Sequence, residues 1–175
     1  MTEQVVDSAP EEIRWCCRCR SELVTRPIGG KPRRACPACG WIYFVEAKVA
    51  VGVCVVRDQE ILLVQRKFAP QKNKWSVPAG YLDRGDEPRA HAAREVLEET
   101  GLEVSIDGLI DVFYNPPSEG GASILLLYRG ALVGGQIAAA DDAIAAGFFG
   151  VDELPPLAFA STRHAIAMLA GQLSV

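Results

Sequence analysis

Two sets of residues in this chain have types and spacings suited to chemistry. Glu95, Glu98 and Glu99 stand at i, i+3 and i+4, which places three carboxylates on one face if the segment is a helix. Adjacent carboxylates repel, and hard oxygen donors suit Mg²⁺ or Mn²⁺, so the triplet reads as a candidate divalent-metal site. Arg94 lies i−4 from Glu98 and is placed to hold that side chain. The bland alternative is a solvated face laced with Arg–Glu pairs, the commoner meaning of such a charge run. The second set is Cys16-x-x-Cys19 and Cys36-x-x-Cys39, with 16 residues between the pairs. Two tight turns of this kind bring four thiolates around one Zn²⁺ and leave no open position, the pattern of a structural zinc ribbon. Cys17 falls outside the spacing and reads as a spare. Two disulfides are the alternative, disfavoured by the absence of a secretory signal.

The elements that position these groups follow from local signals. Asp83, Gly85, Asp86 and Pro88 supply a helix start, and Thr100-Gly101 a stop. Gly29-Gly30 suits a hairpin tip inside the ribbon. The β-branched run 48–56, a turn at 57–59 and the run 61–65 read as two buried strands, with Cys54 a core thiol. Further strands are expected at 103–106, 109–113, 123–132 and 148–151, with a loop over 134–147 and a terminal helix over 160–173. Phe113 and Tyr114 read as packing residues, as does Trp75. His91 and His164 read as surface residues, and with no Ser partner no hydrolase triad is evident. Arg66 and Lys67, ending a strand, read equally as surface charges or phosphate-facing groups.

The 175 residues fit one domain plus a small appendage. The organisation reads as a disordered lead at 1–12, a zinc ribbon at 13–45 and a main domain at 46–175. A net charge of −4 argues against a protein that lives on nucleic acid or acidic membrane. The ribbon is locally basic, with Arg14, Arg18, Arg20, Arg26, Lys31, Arg33 and Arg34. No aromatic platform is interleaved with those residues, so nucleic-acid contact is not expected. No apolar run approaches the length of a membrane span. Cysteine pairs with metal-ligand spacing favour a reducing compartment, hence a cytoplasmic protein.

From Gly80 to Leu102 the chain reads GYLDRGDEPRAHAAREVLEETGL. It resembles the Nudix box, G-x5-E-x7-R-E-U-x-E-E-x-G-U with U aliphatic. Gly80, Arg94, Glu95, Val96, Glu98, Glu99, Gly101 and Leu102 fall in register, eight of nine defined positions in 23 residues. The ninth, a Glu in the motif, is Asp86. Trp75-Ser76-Val77-Pro78-Ala79-Gly80 resembles the W-x-x-P-x-G lead of many Nudix proteins. The order of ribbon, strand and box resembles Nudix hydrolases with an N-terminal zinc ribbon. That resemblance implies an α/β fold, an α/β/α sandwich with a mixed sheet. It also implies hydrolysis of a nucleoside diphosphate linked to another group, and a homodimer. Glu95, Glu98 and Glu99 would be metal ligands and catalytic residues, and Arg94 would orient a glutamate. Gly80 and its carbonyl would line the site, and Arg66 and Asp142 are further candidate substrate-binding residues. The S-Q-P-W-P-F-P-x-S array of the NADH pyrophosphatases is absent after Leu102, which counts against NADH as the main substrate. The chain more resembles the shorter relatives that act on ADP-ribose and on FAD, so the resemblance implies one of these as substrate, with AMP released. NADH or nucleoside triphosphate hydrolysis, or a non-catalytic nucleotide-sensing module, are the alternatives. Relatives commonly carry a Glu where this chain has Ala145, which implies either low activity or a role moved to Asp141 or Asp142.

Overall fold

The computed structural model describes residues 13–173, which divide into two compact units between Glu46 and Ala47. The expected disordered lead at 1–12 lies outside the described residues.

The first unit is a three-stranded antiparallel sheet. Val24–Ile28 (β1) and Lys31–Ala35 (β2) are joined by the tight turn at Gly29-Gly30, and Ile42–Tyr43 (β3) pairs with β2. Each Cys-x-x-Cys closes a similar turn. The Arg20 N–H donates to the Cys16 carbonyl at 2.9 Å, and the Gly40 N–H to that of Cys36 at 3.1 Å. So small a unit buries little apolar surface: Leu23, Ala35, Cys16 and Cys36, with Ile13 and Trp41 packed against the cluster. A unit of this size needs a staple, and the cysteines are placed to supply one.

The second unit is a mixed sheet between two helices. Its strands are Val49–Arg57 (β4), Glu60–Arg66 (β5), Trp75–Ser76 (β6), Ala79–Tyr81 (β7), Leu102–Tyr114 (β8), Ile124–Gly135 (β9) and Ala143–Gly150 (β10). The order is β10-β5-β4-β9-β8, with β6 on β5 and β7 on β4. Among the described strands only β4 and β9 pair in parallel. Side chains alternate along β4 as the period of two requires. Val51, Val53 and Val55 face Ala92 and Val96 of Pro88–Thr100 (α1). Ala50 and Cys54 face Ala165 and Ile166 of Ala160–Leu173 (α2). Both faces of β4 are therefore covered, which is why its sequence runs apolar rather than alternating with polar residues.

Three expectations are corrected. The segments 103–106 and 109–113 are one strand, kept on β9 by bulges that absorb Asp107 and Ile110 without breaking the pairing. The loop over 134–147 is shorter, because β9 runs to Gly135 and β10 begins at Ala143, where it pairs with Arg66 of β5. Phe113 packs against the core and His164, but Tyr114, at the end of β8, is 69% exposed. Trp75 packs edge-on against Phe149, with ring centres 4.7 Å apart.

Candidate active site and cysteine cluster

Helix α1 begins where the Glu87 carboxylate accepts the Ala90 N–H at 2.7 Å, with Pro88 in the first turn. It ends at Gly101, whose φ of 69° lets its N–H reach the Leu97 carbonyl. Between these caps the three glutamates find three different settings. Glu99 is buried and its carboxylate accepts the Ala79 N–H of β7 at 3.0 Å. Burial, with Glu95 and Asp142 nearby, pushes Glu99 up to about 8, against the opposing pull of the Ala79 N–H and Arg66. Glu95 is half-buried, and its pKa is raised by burial, countered in part by His91. Glu98 is exposed, with Arg94 Nε 4.0 Å from its Oε1. Among the described residues these three carboxylates do not form a set whose ligand oxygens all lie within 4.8 Å of one another.

His91 is not on the surface. It is 5% exposed, on the side of α1 that carries Glu95 one turn later. Its Nε2 lies 2.8 Å from Glu95 Oε1, close enough for an ion pair although off the line of a hydrogen bond. On the other side of the ring, Asp86 Oδ2 and Arg94 Nη2 converge on Nδ1 at 2.8 and 2.5 Å. Asp86 also lies 3.5 Å from Arg94 Nη2. The shortened carboxylate at this box position therefore meets the imidazole and guanidinium that border the glutamates. The i,i+4 spacing of His91 and Glu95 was the available signal for this contact.

A cleft of about 220 Å³ opens beside this face of α1. It brings together Arg66, Gly80, Glu95, Asp141 and Asp142, which the sequence separates by as many as 76 positions. A Cβ on Gly80 would overlap the Glu95 carboxylate, so only glycine leaves that side chain its place. Arg66 donates from Nε to the Pro70 carbonyl at 2.9 Å, and its guanidinium lies 5.1 Å from the Phe159 ring centre. The Lys67 backbone N–H and side chain hold the Asp142 and Asp141 carbonyls at 2.9 and 3.0 Å, pinning that loop at the cleft. Ala145 lies on β10 opposite Gln65, just past a bulge, and does not line the cleft. Tyr81, Asn115 and Phe159 also line it and were not singled out from the sequence. Phe159 and Asn115 lie far from the box in sequence, whereas Tyr81 directly follows Gly80.

The donor set fits a divalent cation. Glu99 is a buried carboxylate with one backbone donor, and its neighbour Glu95 makes ionisation of the pair costly, a cost that a bound cation offsets. In the first unit the four cysteine sulfurs all lie within 4.8 Å of one another. Cys16 and Cys39 are 3.6 Å apart, and Cys19 and Cys36 3.4 Å. Sulfurs about 2.3 Å from one tetrahedral ion stand about 3.8 Å apart, so the cluster is consistent with a zinc ribbon.

Residues 46–169 match the family model described as NUDIX domain, and the chain belongs to that family. The family match and its relatives thus make it a hydrolase of nucleotide pyrophosphate bonds. The chain is similar to an ADP-ribose pyrophosphatase of Methanocaldococcus jannaschii, with 34% identity over 117 residues that cover 66% of this chain and 69% of that protein. It is also similar to the NAD-capped RNA hydrolase NudC of Stutzerimonas stutzeri, 31% identical across 82% of this chain but only 50% of that longer protein. Among solved structures, a NUDIX hydrolase from Nitrosomonas europaea superposes with a TM-score of 0.77 at 30% identity, covering 87% of each chain.

Proposed function

We propose that this enzyme cleaves the pyrophosphate of ADP-ribose or FAD, releasing AMP and a phosphorylated remainder. The observation that carries the reading is the cleft in which Arg66, Gly80, Glu95 and Asp142 meet. The likeness to an ADP-ribose pyrophosphatase over two thirds of each chain supports the first substrate, and the resemblance to the shorter zinc-ribbon relatives supports FAD. Glu95, Glu98 and Glu99 would hold Mg²⁺ or Mn²⁺, which when bound neutralises phosphate charge and acidifies water. Arg94 orients Glu98. Arg66 faces the anionic diphosphate, and the Phe159 ring beside it gives an apolar wall. Asp141 and Asp142, which line the cleft, would supply carboxylates in place of a Glu at position 145, and one of them would take a proton from water. Cys16, Cys19, Cys36 and Cys39 would bind Zn²⁺ as a structural staple. We further propose a cytoplasmic homodimer; no described helix is long and apolar enough to cross a membrane.

A second reading, hydrolysis of NADH or of an NAD-capped end, is favoured by the likeness to an NAD-capped RNA hydrolase over most of this chain. One assay separates the readings. Zinc-loaded protein is incubated with ADP-ribose, FAD, NADH, coenzyme A and nucleoside triphosphates, each with Mg²⁺ or Mn²⁺, and the products are resolved by chromatography. AMP from ADP-ribose or FAD is expected. AMP from NADH alone would favour the second reading, and no turnover of any substrate would point to a sensing module.

A further inference from the structure

The first unit carries a charge that the proposed hydrolysis does not use. Residues 13–45 hold seven Lys and Arg against the single carboxylate of Glu22, a formal +6, whereas residues 46–175 hold eleven against seventeen, a formal −6. A tetrathiolate zinc site, formally −2, leaves the first unit strongly positive. Such asymmetry within one chain points to an anionic partner for one part of it.

Sheet register decides where that charge stands. Arg26 is directly opposite Arg33 across β1 and β2, and Ile28 opposite Lys31. Side chains alternate between faces, so Arg26, Lys31 and Arg33 share one face. The Arg33 guanidinium lies 4.7 Å from the centre of the Phe44 ring, which is 53% exposed. Like charges directly opposed across strands are destabilising, and none of the ion pairs among the described residues includes Arg26 or Arg33. A bound polyanion would relieve that repulsion. The exposed ring narrows the choice, because a flat apolar face beside cations suits a stacked base, which a simple polyphosphate lacks. In sequence Phe44 is eleven positions beyond Arg33 and outside the basic run; the pairing of β2 with β3 brings it alongside.

We propose that this sheet face binds single-stranded nucleic acid, with phosphates on Arg26, Lys31 and Arg33 and a base on Phe44. Contacts to phosphates and to one π-face carry no sequence code, so binding is sequence-tolerant and salt-sensitive. The proposal is independent of which nucleotide the second unit hydrolyses.

The test uses the full zinc-loaded chain and a fluorescein-labelled oligouridylate of about twelve nucleotides, followed by anisotropy from about 50 to about 200 mM salt. The expected plot of log affinity against log salt has a slope of about −2, from three phosphate contacts on a single strand. Arg26→Glu is expected to weaken binding at least about tenfold at the lowest salt. Phe44→Ala is expected to weaken oligouridylate binding at least about fivefold while leaving competition by inorganic polyphosphate unchanged. Zinc content and the melting curve of each variant check folding, and Arg26→Gln replaces Arg26→Glu if the latter loses zinc. No anisotropy change at the lowest salt, or wild-type affinity in the Arg26 variant, overturns the proposal. Equal loss towards oligouridylate and polyphosphate in Phe44→Ala also overturns it, since the ring would then not be stacking a base.

Discussion

Glu99 is the residue whose setting has the clearest measurable consequence. Its folded-state pKa of about 8 lies above the unfolded value of about 4.3. Between those values the folded protein binds a proton that the unfolded chain has lost. Stability therefore falls as pH rises from about 4.3 towards 8. Glu99→Gln cannot ionise and lacks that slope, so without divalent cation its urea midpoint should gain on the wild type between about pH 5 and 8. Parallel profiles would show that Glu99 is not held protonated. With metal and substrate present, Glu98→Gln or Glu99→Gln is expected to abolish turnover, Glu98→Gln with little change in melting temperature. Near-normal rates in both would remove them from the mechanism. His91 supplies a further test, because it touches Glu95, Asp86 and Arg94 at once. His91→Ala is expected to weaken Mn²⁺ binding, measured by paramagnetic resonance, and to lower kcat more than it raises KM. His91→Gln, which keeps a polar side chain beside Glu95, should retain more of both.

At the scale of elements, helix α1 is set by its two ends and by the strand beneath it. Gly101 has φ of 69°, and a Cβ there would lie 2.6 Å from the Gln136 carbonyl oxygen. Gly101→Ala should therefore cost at least about 1 kcal/mol in urea denaturation, from backbone strain alone. Gly80→Ala should act differently. The added methyl collides with the Glu95 carboxylate, a side chain that can swing away, so activity should fall steeply while the melting temperature changes little. Equal losses of stability in the two variants would contradict this division between a helix stop and a site glycine. The paired strands β5 and β10 do the other half of the positioning. Their register sets Ala143 against Arg66 and so brings Asp141 and Asp142 to the cleft.

At the scale of the whole molecule, the six cysteines should sort into three classes under alkylation read by mass spectrometry. Cys17 is exposed and outside the four-sulfur cluster, so it should react in the native zinc-loaded protein. Cys16, Cys19, Cys36 and Cys39 should react only after a chelator removes the ion. Cys54 is fully buried, and burial pushes its thiol up to about 12. It should stay inert until the second unit unfolds. Reaction of the four cluster cysteines at the rate of Cys17 in freshly purified protein would argue against a bound structural ion.

What the amino-acid sequence determined by itself was local. The Cys-x-x-Cys pairs, the helix start at Pro88 and its stop at Gly101 each depend on residues within one or two turns, so their spacing carries the meaning. The α/β class was legible for the same reason, from the periods of its runs. Tertiary structure decided the rest. Whether His91 faced water or Glu95 depended on how α1 lies against the sheet, and surface preference for a lone histidine gave the wrong answer. Arg66 met Asp142, and Arg33 met Phe44, only through strand register, which is a property of two distant segments at once. A one-residue slip in either pairing would turn those side chains to the opposite face. That is why the glutamate helix could be read from 23 residues, whereas the cleft beside it and the basic face of the ribbon required the fold.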